Sequence, residues 1–168
     1  MMRKIACGLI AVLAVASTGA QAADPLVPPP AGTRLLLEAE ADGVQIYTCT
    51  AKGAGFEWVL KAPEANLFDK KGLLVATHFA GPTWKTSDGA SVVGEVVTRA
   101  DAPAAGSIPW LLLKAKSHEG TSGIATAAFI RRAETKGGVA PATGCDAAHP
   151  GAEVRMRYSA LYQFLVAP

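Results

Sequence analysis

Glycine and proline punctuate this chain so closely that only short segments stand between them. No stretch of the folded part carries apolar residues at the 3.6-residue period long enough for a core helix, so the short segments must be strands. Phe56-Glu57-Trp58-Val59-Leu60-Lys61 shows the pattern, with Phe56, Trp58 and Leu60 on one face and Glu57 and Lys61 on the other. Ile108 to Lys116, with Leu111-Leu112-Leu113 at its centre, is too continuously apolar for one-sided burial and reads as a buried strand.

Other segments follow from the breakers. Leu35–Ala39 and Val44–Cys49 flank Asp42-Gly43 and read as a first hairpin; Gly53-Ala54-Gly55 is the next turn. Ala62–Asp69 reads as an excursion or a single helical turn. Leu73–Phe79 is a strand broken by Gly81-Pro82-Thr83-Trp84, and Asp88-Gly89 turns the chain into Val92–Arg99. After the loop Pro103–Gly106 and the Ile108 strand, Gly120-Thr121-Ser122-Gly123 leads into a strand over Ile124–Arg132. Lys136–Pro150 is irregular, and Glu153–Val166 supplies a last strand or pair. The sum is an all-β fold, an antiparallel β-sandwich or barrel of about eight short strands.

The N-terminus is a different kind of segment. Arg3 and Lys4 precede an apolar run from Ile5 to Ala16, and Ala20-Gln21-Ala22 ends it with small residues at the cleavage positions. This is the pattern of a signal peptide over residues 1–22, and the run is shorter than the roughly 20 apolar residues of a membrane span. Residues 23–33, with Pro25, Pro28, Pro29 and Pro30, form a Pro-rich tether, and 34–168 form one domain. The mature chain is expected in the periplasm or outside the cell, with no transmembrane span.

Charge is modest. The chain has 16 Lys and Arg against 14 Asp and Glu, and removal of Arg3 and Lys4 leaves 14 against 14. A neutral chain is not built to capture nucleic acid or an anionic surface, although Arg131, Arg132, Arg155 and Arg157 cluster in sequence. Charged residues make up 18% and apolar residues 50%, which excludes a disordered chain or a coiled coil. Two of the three cysteines, Cys49 and Cys145, survive cleavage and read as one structural disulfide, since an oxidising compartment keeps such bonds.

In order along the chain stand Gly43-Val-Gln-Ile-Tyr-Thr-Cys49, Ala62-Pro-Glu-Ala65, His78-Phe-Ala-Gly-Pro-Thr-Trp84, Asp88-Gly89, Ile108-Pro-Trp-Leu-Leu-Leu113, Gly137-Gly-Val-Ala-Pro141 and Gly144-Cys-Asp146. With these blocks the chain resembles the secreted bacterial and fungal family filed as domain of unknown function 3455. The resemblance implies no established activity. It also marks two departures from the family's usual pattern: Glu134 stands where Asn is usual, and Leu161 where an Asp is usual between Ala160 and Tyr162.

Complete catalytic motifs are missing. Gly53-Ala-Gly55 has no third glycine and leads into a strand, so no dinucleotide fingerprint exists. Gly120-Thr-Ser-Gly123 is one residue short of a nucleophile elbow. The most suggestive group is His78, Trp84 and Asp88 around one turn: imidazole and carboxylate for acid–base work, and an indole face for stacking. Against this stand simpler roles, with His78 bonded to backbone, Trp84 closing an end of the fold and Asp88 shaping an Asx-turn. Trp58 and Trp110 are expected in the core, and Tyr47 and Tyr162 as an outward platform. Glu38, Glu40 and Asp42 read as a solvated edge, His118 as turn surface and His149 as unpartnered; no metal and no cofactor is expected. The favoured expectation is a non-catalytic binding or envelope-associated module for a small molecule, glycan or protein. The alternative is an extracellular hydrolase or isomerase using His78 and Asp88, with Tyr47 as a further candidate.

Overall fold

The computed structural model describes residues 26–167, so the expected leader lies outside the described residues. Eight strands follow in chain order: β1 (Arg34–Lys52), β2 (Gly55–Phe68), β3 (Leu74–Phe79), β4 (Thr83–Lys85), β5 (Ser91–Ala100), β6 (Trp110–Glu119), β7 (Phe129–Gly137) and β8 (Glu153–Val166). Each pairs antiparallel with the next, and β8 returns to β1, so the sheet closes into a barrel rather than a sandwich. Closure pairs every strand on both sides over at least part of its length, so none is a free edge from end to end as in an open sheet.

The strand count matches the expectation; several boundaries do not. Asp42-Gly43 is no turn. β1 runs through it for 19 residues, paired to β2 on one side and β8 on the other. Ladder bonds on both flanks override the local turn chemistry. Gly43 is needed for space, since a Cβ there would lie 2.2 Å from the Glu64 carbonyl oxygen. Ala62–Asp69 is no excursion either, because β2 continues to Phe68. Pro63 is tolerated because β3 pairs with β2 only from Ala65 onward, so no neighbour on that side asks for its missing N–H. Ile124–Arg132 divides into a single 3-10 turn, Gly123–Thr126, and the start of β7, which itself reaches into the expected irregular segment.

Strand alternation sorts the side chains. Ala39, Ala41 and Gln45 of β1 and Tyr158, Ala160, Tyr162 and Phe164 of β8 are buried, so aromatic rings of one strand meet small residues of its neighbour. Trp84, Leu67, Leu113 and Ile130 complete the filling, and Ile124 of the 3-10 turn joins the same cluster. Gly94 of β5 leaves room for the Trp84 ring, whose Cζ3 would sit 3.1 Å from a Cβ at that position. Trp58 and Trp110, expected in the core, are only half-buried. The Trp58 Nε1–H donates to the Thr143 carbonyl at 3.0 Å, and the Arg131 guanidinium lies 5.5 Å from the Trp110 ring centroid. Tyr162, expected to face outward, is in the core at 1% exposure.

The described part of the Pro-rich lead-in is docked. Val27 is fully buried, and its carbonyl accepts from Arg131 Nε. The basic run disperses for the same alternation reason: Arg155 pairs with Glu64, Arg157 with Asp42, and Arg131 and Arg132 leave β7 on opposite sides. The Cys49–Cys145 disulfide is formed. It fastens the segment between β7 and β8 to β1, beside a bond from Gly151 N–H to the Cys49 carbonyl and one from Cys49 N–H to the Ala152 carbonyl.

β7 carries one irregularity of consequence. Glu134 has φ 51°, the register with β8 shifts between Ala133 and Lys136, and alternation breaks there. The left-handed region costs an ordinary L-residue roughly 1–2 kcal/mol and Asn less. Glu134→Asn is expected to raise stability by about 0.5–1 kcal/mol, a gain of about 2 °C in melting temperature by calorimetry. Cys49→Ala with Cys145→Ala is expected to cost about 2–5 kcal/mol in urea unfolding, the usual effect of losing a native cross-link.

Candidate functional site

The barrel wall has a window, and its cause is strand length. β3 has six residues and β4 three. They cover β2 only at Ala65–Phe68 and β5 only at Ser91–Val93. The first half of β2 and the second half of β5 therefore face each other with no strand between them. A cavity of about 620 Å³ opens there, bounded by Leu60 to Pro63 of β2, the hairpin tip at Gly81 and Pro82, and Val96 and Arg99 of β5. Leu60 and Val96 are each about half exposed, which marks the mouth. A void of this size matches the range of small-molecule sites, about 300–1,000 Å³.

Its inner wall is built by the same hairpin and by the far side of the barrel. His78 of β3 and Trp84 of β4 are register partners, and their rings stack with centroids 4.3 Å apart and planes 4° from parallel. Tyr162 of β8 meets both edge-on, at 5.4 and 5.5 Å. Gln45 and Tyr47 of β1, Leu111 and Leu113 of β6 and Arg132 of β7 complete the wall. The Tyr47 hydroxyl donates to the Gly138 carbonyl at 2.7 Å, which ties the disulfide-bound segment to the wall.

Two donors of this wall have no acceptor in the protein: Gln45 Nε2 and Trp84 Nε1, both buried. An unsatisfied buried N–H costs on the order of 1–3 kcal/mol, and Trp110 Nε1, outside this wall, is a third such group. Arg132 Nε and Nη2 donate to the Pro109 carbonyl at 3.1 and 2.9 Å, which fixes the guanidinium plane.

His78 is the one buried imidazole, at 3% exposure. Its Nδ1 lies 2.9 Å from the Thr83 carbonyl, and a carbonyl only accepts, so Nδ1 carries the proton and Nε2 keeps a lone pair. Burial pulls its pKa from 6.5 down to about 4; the Thr83 bond opposes that shift and the Arg132 charge adds to it. The ring is neutral at neutral pH. Burial also raises the phenols of Tyr47 and, far more strongly, Tyr158.

The sequence-selected group divides. His78 and Trp84 meet in the wall, and Tyr47 stands in it too. Asp88 does not join them: it is exposed at the β4–β5 turn, where its Oδ1 accepts from Thr86 Oγ1 and from Ala90 N–H at 3.2 Å. Those bonds lower its pKa. Glu38 is held by Gln163 and Lys70 and Asp42 by Arg157, while Glu40 is exposed as expected. His118 Nε2 bonds the Ala127 carbonyl, and His149, expected to lack a partner, bonds Asp146. Gln45 and Arg132 were not singled out from the sequence as site residues. Parity with Tyr47 was the available signal for Gln45; Arg132 had none beyond its place in a basic run. Among the described residues no group of three or more His, Cys, Asp or Glu is arranged to hold a metal ion, and no helix is long and apolar enough to cross a membrane.

The pH dependence follows from His78. Its folded pKa is depressed, so the unfolded chain binds the extra proton between pH 6.5 and about 4. Stability is whole above pH 6.5 and falls as pH drops through that window, by about 3 kcal/mol in total at about 1.4 per unit. Urea midpoints between pH 7.5 and 4 are expected to fall accordingly, and His78→Gln is expected to flatten the slope. An NMR titration midpoint near 6.5 for His78 would contradict the assignment.

Comparison with curated proteins and with solved structures finds no match. A family profile described as protein of unknown function (DUF3455) matches residues 30–166. That span takes in all eight strands, the window and the disulfide, and the chain is therefore a member of the DUF3455 family.

Proposed function

We propose that this protein is an exported, non-catalytic binding module that holds a small molecule in the bore of its barrel. The cavity carries the reading. It is open at one window and walled largely by apolar side chains, and two of its wall residues, Gln45 and Trp84, carry buried N–H groups without a protein acceptor. Export is supported by the leader pattern of residues 1–22 and by the disulfide, which persists in an oxidising compartment. The hydrolase or isomerase alternative relied on His78 working with Asp88. Each of those side chains is engaged elsewhere, and a neutral imidazole without a carboxylate behind it is a weak base.

The three tryptophans make the test direct. In protein with 15N-labelled indoles, Trp84 Nε1–H reports on the cavity, while Trp58, bonded to Thr143, reports on the outside. A fragment library of acids, amines, amides and apolar rings is expected to yield compounds that shift the Trp84 resonance saturably and leave Trp58 in place. Leu60→Arg, at the half-exposed mouth, is expected to abolish those shifts without unfolding the barrel. A library with no compound that moves Trp84, or shifts indifferent to Leu60→Arg, would overturn the reading.

A further inference from the structure

We infer that the cavity takes an organic carboxylate with a flat apolar body, its charge held by Arg132; this rests on the small-molecule reading above. Three basic residues line the cavity and no acidic one does. Lys61 is already paired with Glu153, and Arg99 stands exposed at the mouth. Arg132 is different: it is half-buried, its plane is fixed by a carbonyl, and among the described residues no carboxylate pairs with it. A half-buried guanidinium with donors left over has a planar carboxylate as its natural partner.

The backbone shows how the charge is kept open. On an unbroken strand residue 134 would share a face with Arg132, two positions on, and Glu134 would put its carboxylate into the bore. The left-handed turn at Glu134 instead sends that side chain outside, where its charge acts on Arg131 and it lines an external depression with Lys136 and Leu161. His78 adds no competing cation, since its ring is neutral and offers Nε2 as an acceptor. The body of the ligand is set by the apolar remainder of the wall, Leu111, Leu113, Ile108 and Val96, and by the stacked rings of His78 and Trp84.

The test compares isosteres. Binding of 2-naphthoate, 2-naphthamide and 2-naphthylmethylamine to the disulfide-bonded protein is measured by calorimetry, with the Trp84 indole resonance locating the site. The carboxylate is expected to bind about tenfold or more tightly than the amide, and the amine least of all. Arg132→Gln is expected to erase the difference between carboxylate and amide, Arg132→Lys to keep part of it, and Arg99→Gln to leave it nearly intact. Equal binding of all three compounds to the unaltered protein would sink the inference while leaving the binding reading in place. Loss of the preference in Arg99→Gln instead of Arg132→Gln would sink it as well. Failure of every naphthyl compound to bind overturns this ligand class, and the wider library decides separately whether the cavity binds anything. Because the isostere comparison is made first on the unaltered protein, a variant that fails to fold does not shield the inference.

Discussion

Hydrogen bonding of β1 to both β2 and β8 closes the sheet, and a closed sheet has a bore that must be filled or left open. Part of this bore is filled by large rings set against small residues. Phe164, Tyr162 and Trp84 pack edge to face, with Ala39, Ala41, Ala65, Ala76 and Ala160 in the same core. The rest is not filled, because the β3–β4 hairpin ends before it can cover the wall. One short hairpin therefore does two things. It stops short and so opens the window, and its His78 and Trp84 supply a wall of the space behind it.

This arrangement has a cost that the fold carries elsewhere. Gln45 Nε2 and Trp84 Nε1 lack acceptors, and Glu134 sits in an unfavourable backbone region. Each works against stability by an amount on the order of 1 kcal/mol or more. The offsetting contributions are the closed ladder, the dense aromatic cluster and the cross-link between β1 and the segment ahead of β8.

Much of the architecture was legible in the residues. Gly and Pro spacing gave the number of strands, and Phe56 to Lys61 and Glu153 to Val166 announced theirs by alternation. The cysteine pairing followed from there being two thiols after the leader pattern is set aside. What misled was local chemistry overruled by long-range pairing. Asp42-Gly43 has the composition of a turn, yet β2 and β8 bind it on both sides and only Gly43 admits the Glu64 backbone so closely. Pro63 looks like a breaker until one sees that β3 does not reach it, so its β3 side has no ladder to break. The site was half legible. His78 and Trp84 stood out because they are few and close, and their partnership is a register pair across a hairpin. Asp88 was equally close in sequence but belongs to the turn, whereas Gln45 and Arg132 come from strands that only closure brings round.

The two departures from the family's pattern illuminate the same point. Glu134 and Leu161 look like changes that threaten a site. They instead line one depression on the outside of the barrel, separate from the window cavity. Outside, a carboxylate in place of an amide costs only local strain, because water and Arg131 receive its charge. Inside, the same carboxylate would pair with Arg132. The backbone turn at Glu134 puts the side chain on the outside. The charge of the bore thus depends on the local strand geometry, and the inward face of β7 holds Arg132 apart from the salt bridges that pair Arg155 and Arg157 on the surface.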